Sequence, residues 1–363
     1  MKIVFTVTNE LNFDQRMQRI CTSLIGANHQ VTLIGWQLKN APTLTQQDFQ
    51  QKRLPLFFQK GKLRYIETNI KLLWFLLFVK CDLIGAIDLD TIFPCWLVAT
   101  IRGKKIVYDA HEYFTELEEI VRRPMIKKVW LAVEKFCVPK IKNGYTISNS
   151  YANLFHKNYG VNYEVIRNIA LLKPIPVVEK MKRIILYQGA VSEGRGLFQL
   201  VDAMKMVDAK LIICGQGNVF EALKNFIAQK EWQHKIELKG FVAPQELFQL
   251  TPQAMVGITL FETKGLSNYY SLANRFFDYL HAGIPQLCNA YPEYVSINQQ
   301  FEIATLIEKP TTELITTALN KMLDDTAFYD HLCKNCLQAR EVFNWQTEQK
   351  KLLKFFERKE LCG

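Results

Sequence analysis

Apolar and polar positions follow two rhythms along this chain. Short runs of consecutive apolar residues predict buried strands, and apolar residues spaced three or four apart predict amphipathic helices. Lys2–Thr8 reads as a strand. Asn12 is then expected to cap a helix carrying Phe13, Met17, Ile20, Cys21 and Leu24 on one face. Further strands are expected at 30–35, 83–87, 105–108 and 144–147, and helices at 92–101, 127–137 and 150–159. The apolar run 72–79 reads as a buried helix. The pattern restarts with strands at 183–188, 209–214, 235–238, 255–260 and 285–288, alternating with helices at 197–206, 219–230, 245–250 and 273–282. Two or three helices are expected after Thr311.

Strands alternating with helices predict parallel sheets built from right-handed crossovers. The fold class is therefore α/β, with two doubly wound, Rossmann-like domains facing a central cleft. The expected boundary lies in the polar stretch 171–182, which Pro174 and Pro176 interrupt. The domains read as residues 1–172 and 173–342, and residues 343–363 form a terminal helix. Sites in such sheets lie beyond the carboxyl ends of the strands.

Composition narrows the reading. The chain has 363 residues, 49% of them hydrophobic and 22% charged, which excludes disordered and fibrous classes. Its opening, Met1-Lys2-Ile3-Val4-Phe5, reads as a strand rather than a signal peptide. The longest apolar run, 72–79, is far short of the roughly 20 residues of a spanning helix. Cys21, Cys81, Cys137 and Cys214 sit inside apolar runs, as reduced thiols of a cytoplasmic protein would. Cys333 and Cys336 form a lone CxxC with no second pair, so no metal site is expected.

Five segments fall where strands are expected to end. In Ser271–Pro285, Asn274, Arg275 and Asp278 lie on the polar face and at the start of a helix. A helix start favours phosphate, and a carboxylate one turn in can accept ribose hydroxyls. Gly189, Gly194 and Gly196 surround Arg195, whose guanidinium can fork onto a diphosphate. Gly215 and Gly217 flank a tight turn after the next strand. Asp109-Ala110-His111-Glu112 ends a first-domain strand, and His111 there can donate to a sugar hydroxyl. The loop Thr8–Arg16 lacks a phosphate-binding glycine pattern and is polar enough to meet an acceptor. Each segment also has a plain structural reading: a solvated helix face, a βα turn or a satisfied histidine.

In this order the segments, with Ile147–Ser150 and Val165–Asn168, resemble the GT-B-fold glycosyltransferases of glycosyltransferase family 4 across nearly the whole chain. The resemblance implies transfer of a hexosyl-type sugar from a nucleotide-sugar to a glycan or lipid-linked acceptor, with retention at the anomeric carbon and no metal. Such work belongs to cell-surface polysaccharide or glycolipid assembly. It assigns catalytic roles to His111, Arg195 and Asp278. It assigns the donor to Gly189, Arg195, Gly196, Gly215, Gly217, Asn274, Arg275 and Asp278, and the acceptor to Asn9, Asn12, Phe13, Asp14, Arg16 and Glu112. The nucleotide-sugar is a substrate, so no cofactor is implied. The terminal helix is expected to cross back onto the first domain. Two positions depart from the family: Ala190 follows the first glycine where arginine is frequent, and Tyr270 stands where the first acid of an E-x7-E pair would be. Those departures keep two alternatives in view, an inactive nucleotide-sugar-binding scaffold and a nucleotide-sugar epimerase of the same fold.

Charge adds a partner. The net charge is +10, and residues 1–175 hold 24 basic and 14 acidic side chains, so the first half carries the whole excess. It concentrates in residues 52–80, 102–105 and 122–128, interleaved with aromatics in the first stretch. An anionic membrane surface is the expected partner, with the chain peripheral on the inner face of the membrane. The alternative is that the aromatics are core and the charges a solvated rim. No nucleic-acid motif accompanies the charge, so nucleic acid is not expected.

Overall fold

The computed structural model describes residues 1–179, 181–262 and 265–362. Lys180, in the expected linker, lies outside the described residues. The chain divides into two compact units, Met1–Asn168 with Glu348–Gly363, and Ile169–Thr347.

The first unit runs β1 (Lys2–Thr6), α1 (Gln15–Gly26), β2 (Gln30–Gln37), β3 (Gln50–Pro55), α2 (Gly61–Phe78), β4 (Leu83–Ile87), α3 (Leu89–Arg102), β5 (Lys105–Ala110), α4 (Glu118–Val121), α5 (Pro124–Cys137), β6 (Gly144–Thr146), α6 (Asn149–Tyr159) and β7 (Glu164–Val165). Its strands form one parallel sheet in the order β3-β2-β1-β4-β5-β6-β7. β1 is an interior strand, with Thr6 paired to Ile34 on one side and Ala86 on the other. β4 is buried throughout, which explains its unbroken apolar sequence. Gly85 in β4 admits the ring of Phe5, since an added Cβ would lie 2.1 Å from that ring.

The second unit runs β8 (Ile184–Gln188), α7 (Leu197–Ala203), β9 (Lys210–Cys214), α8 (Phe220–Gln229), β10 (Ile236–Gly240), α9 (Pro244–Leu250), β11 (Val256–Thr259), α10 (Leu266–Tyr270), α11 (Asn274–His281), β12 (Gln286–Asn289), α12 (Pro292–Phe301), β13 (Ala304–Ile307), α13 (Thr312–Asp324) and α14 (Thr326–Val342). Its parallel sheet has the order β10-β9-β8-β11-β12-β13. In both sheets the strand order reverses beside the first strand of the unit. Crevices at such reversals are where open α/β sheets bind ligands.

α15 (Trp345–Phe356) and α16 (Lys359–Cys362) end the chain. Within the first unit, Phe355 and Phe356 pack edge-on against Tyr145, and Phe356 against Phe5. Among the described residues no helix is long and apolar enough to cross a membrane.

Three expectations need correction. Asn12 does not cap α1. Asp14 does, accepting the amide of Met17 at 3.0 Å, and Phe13 stands 74% exposed before the helix begins. The apolar run 72–79 is not a buried helix. It is the end of the longer α2, in which only Thr68, Leu72 and Leu76 are buried. The polar edge strand β3 was not expected, because half-exposed Gln50-Gln51-Lys52-Arg53 shows no apolar run.

Candidate functional site

The first unit gathers polar side chains where β1, β4 and β5 end. Asp109, fully buried in β5, receives Arg16 from α1 through Nη2 at 2.9 Å and Nε at 3.3 Å. Arg16 also donates to the Ile166 carbonyl at 3.0 Å. His111 approaches the same carboxylate, with Nε2 at 2.9 Å from Asp109 Oδ2, and its Nδ1 lies 3.6 Å from Asp88. The His111 amide donates to Asp88 Oδ1 at 2.8 Å. Asp88 is held at φ +56°, a sparsely populated conformation for a residue with a side chain, while its own amide bonds the Asp109 carbonyl.

Charge follows from this packing. Burial alone would raise the Asp109 carboxyl, but Arg16 and His111 outweigh it and hold it below its usual range. Burial opposes charge on His111, but Asp109 and Asp88 outweigh it and raise its pKa. Asp88 is pushed up to about 8, by burial first and then by neighbouring acids, with His111 opposing. Asp90 is raised to about 6 by burial, although Thr8 donates to it. His111 is thus a ring clamped between two carboxylates rather than a lone histidine.

The acceptor candidates divide. Asp14 caps α1 and accepts from Asn9 at 3.0 Å. Asn12 ties down the following loop, donating to the Thr43 carbonyl at 2.8 Å and accepting from the Thr45 amide at 2.9 Å. Arg16 is buried in its ion pair. Phe13 and Glu112 are exposed.

The second unit builds its constellation on α11. Tyr279 is fully buried, and its ring lies over Gly257, where an added Cβ would sit 2.4 Å from it. Its hydroxyl donates to the Leu186 carbonyl at 3.0 Å and accepts the Gln188 amide at 3.0 Å. This anchors α11 against the end of β8. Gln188 then donates to Asp278 at 2.9 Å and accepts from Thr251 at 2.8 Å. Arg275 was expected on the polar face at the start of the helix. Instead it is buried, donating to Tyr187 Oη at 3.2 Å and to the Leu260 carbonyl at 3.3 Å.

Arg275 reaches the glycine turn. An added Cβ on Gly189 would lie 3.0 Å from Arg275 Nη1. The guanidiniums of Arg195 and Arg275 both lie over Phe261, at 4.6 Å and 4.8 Å from its ring centre. The turns after β8 and β9 interlock. A Cβ on Gly215 would lie 1.8 Å from the Gly189 carbonyl oxygen, and one on Gly217 would lie 2.2 Å from that of Val191. Gly196 has φ +63° and starts α7. Asn274 is the exposed first residue of α11. The structure thus sets Arg195 and Arg275 over Phe261, with Arg275 beside Gly189, and sets Asp278 on Gln188. Sequence reasoning missed Asp88, Asp90, Gln188, Phe261 and Tyr279. Asp88 and Asp90 had a signal, acids directly after the apolar run 83–87.

The fold is that of the GT-B glycosyltransferases. It superposes on sucrose-phosphate synthase from Thermosynechococcus elongatus with a TM-score of 0.82, at 13% identity over 98% of each chain. Anabaena HepE, solved in complex with UDP and glucose, gives 0.74 at 14% identity over 98% of each chain. WaaG, a glycosyltransferase involved in lipopolysaccharide biosynthesis, gives 0.75 at 13% identity over 98% of this chain and 100% of that one. Residues 169–339, nearly all of the second unit, match the family model for glycosyl transferases group 1. An uncharacterized glycosyltransferase of Methanocaldococcus jannaschii is 22% identical over 186 residues, 49% of this chain and 46% of that protein. That match spans about half the length of the curated relative.

Proposed function

We propose that the protein transfers a sugar from a nucleotide-sugar donor to a glycan or lipid-linked acceptor, with retention and without a metal. The observation that carries this reading is the pair of guanidiniums on Phe261 beside the Gly189 turn, within the stretch that matches the group 1 model. Two fixed cations there would offset the charge that develops on a departing nucleotide diphosphate. They need little reorganisation, because the ring and the Tyr187 hydroxyl already hold Arg275.

Asp278, positioned by the Gln188 amide, accepts ribose hydroxyls in this reading. His111 serves the transferred sugar as a hydrogen-bond donor. Its 2.9 Å contact with Asp109 holds the ring turned and favours its charged form. The nucleotide-sugar is a substrate, and no cofactor is required. The position after Gly189 is Ala190, but α11 delivers Arg275 Nη1 to the same turn. That delivery favours a working donor site over an inactive scaffold. In this reading the work belongs to cell-surface polysaccharide or glycolipid assembly, at the inner face of an anionic membrane.

The test is a thermal-shift panel of nucleoside diphosphates and nucleotide-sugars, followed by transfer assays with the donor that binds. A ligand at 100 times its Kd adds about 2.7 kcal/mol of stability. Arg195→Ala should abolish transfer and strongly weaken diphosphate binding. Unchanged kinetics in that variant would remove the assignment. Conversion of the donor with no acceptor present would replace it with an epimerase.

A further inference from the structure

The outer helices of the first unit expose apolar side chains in rows. On α2, Leu63, Ile66, Ile70, Trp74 and Phe78 recur at helical spacing and are all exposed, Trp74 by 59% and Phe78 by 75%. They lie opposite the buried Thr68, Leu72 and Leu76. Trp74 stacks on Phe78 with 6.1 Å between ring centres. On α5, Met125, Val129 and Phe136 form a second exposed row, opposite buried Glu134. The two helices belong to one layer. Tyr65 of α2 meets Trp130 of α5 at 5.9 Å, and Phe136 packs on Trp96 of α3 at 4.9 Å. Exposed apolar rows on adjoining helices are the kind of surface that larger interaction patches are built from.

Charge on the same helices says what covers it. Residues 52–80 hold seven basic side chains against Glu67 alone, and residues 122–142 hold seven against Glu134 alone. Neither acid is free to face a partner. Glu67 accepts the amides of Phe57 and Phe58 and pairs with Lys71. Glu134 is 1% exposed and accepts from Thr115. Lys140 lies over the Phe136 ring at 3.2 Å, and Lys52 over Phe75 at 4.5 Å, so these ammonium groups ride on the apolar surface. A second copy presenting the same face would set like charge against like. An anionic bilayer meets both features at once, with interfacial aromatics below and phosphate headgroups around them.

We propose that the exposed rows of α2 and α5 insert into the surface of an anionic phospholipid bilayer, with the flanking lysines and arginines seated among its headgroups. This deepens the proposed function by naming the membrane-facing elements, and rests on that reading only for its purpose.

The experiment is vesicle co-sedimentation of the full chain. Neutral phosphatidylcholine vesicles are compared with phosphatidylcholine mixed with phosphatidylglycerol. Wild type should bind the mixed vesicles, and added salt should weaken that binding. Trp74→Ser with Phe78→Ser should lower the partition by on the order of tenfold or more. Lys128→Glu with Lys135→Glu should lower it by at least about tenfold on the mixed vesicles only. Lys224→Glu, on the exposed face of α8, should change nothing. Circular dichroism melts confirm that each variant folds. Equal binding to both vesicle types, binding unaffected by either double variant, or a dimer that both double variants abolish would overturn the proposal. Nucleotide diphosphate binding by the wild type separates the two readings. If the wild type binds nucleotide but neither vesicle type, the docking face alone is wrong. If docking persists and no nucleotide binds, the glycosyl-transfer reading alone is wrong.

Discussion

Asp109→Asn tests the clamp on His111 with one nearly isosteric change. In the native unit the buried carboxylate takes two hydrogen bonds from Arg16 and one contact from His111. The amide removes the negative charge and leaves Arg16, only 3% exposed, with one neutral amide oxygen and the Ile166 carbonyl as acceptors. Breaking a buried pair from one side costs about 3–5 kcal/mol. The loss should vary with pH in two ways. His111 has a raised pKa in the folded state. Its share of the stability is complete below the unfolded value of about 6.5 and disappears as pH rises through the folded one. Asp109 has a depressed pKa. Its share is complete above about 3.9 and disappears as pH falls through the folded value. The stability difference between wild type and variant should therefore peak on the mildly acidic to neutral side. On the alkaline side it should settle at the part due to Arg16. Urea unfolding followed by tryptophan fluorescence measures it, because Trp36, Trp74, Trp96 and Trp130 all lie in the first unit. An NMR titration of His111 gives the second readout, and its pKa should fall in the variant. A difference below about 1 kcal/mol that is flat with pH would refute the reasoning, since that is the range of an exposed pair.

Phe261→Ala should weaken nucleotide diphosphate binding, read by thermal shift, while Phe261→Leu should weaken it less, because a side chain would still fill the space between the two guanidiniums. Gly215→Ala places a methyl 1.8 Å from the Gly189 carbonyl oxygen, so it should lower stability by about 1–3 kcal/mol and disturb donor binding with it. Asp88→Asn should flatten the fall in stability between about pH 4 and pH 8, because the folded state keeps this carboxyl protonated to about 8 while the unfolded chain ionises it near 3.9. A Tm-against-pH curve with unchanged slope would contradict that. Glu67→Gln should loosen the Phe57–Phe58 segment, seen as faster amide exchange there. The wild type should loosen the same way only as pH falls toward about 2, where this depressed carboxyl is protonated.

The strand ladder was legible because parallel strands buried on both faces leave continuous apolar runs, as Leu83–Ile87 and Ile184–Gln188 do. The edge strand β3 was not, because its outer side meets solvent and its residues are polar. At the site, glycines and arginines could be read as candidates, but their partners could not. Phe261 is separated from Arg195 by 66 positions, and Tyr279 reaches Leu186 across 93. Nothing local in Arg275 distinguishes a solvated helix arginine from one buried under Tyr187. Asp88 owes its importance to φ +56° and to His111, both products of the folded sheet.

The basic excess of the first half can now be divided by what its members touch. Arg16 is spent on Asp109, and Arg53 on Glu10 and the Pro42 carbonyl. Arg102 is tied to the carbonyls of Leu76 and Val79, closing the end of α2. These three sit inside the basic half, yet they hold its fold and offer nothing to a partner. Lys60, Lys62, Lys80, Arg123, Lys128 and Lys135 are exposed, on or beside the helices that also expose Trp74 and Met125. A charge excess kept only for solubility would be expected on faces that are otherwise polar. Here it borders the exposed apolar rows of α2 and α5. The coincidence of the two on α2 and α5 matches an environment that is apolar at its centre and anionic at its rim, and the proposed headgroup layer over acyl chains has that profile.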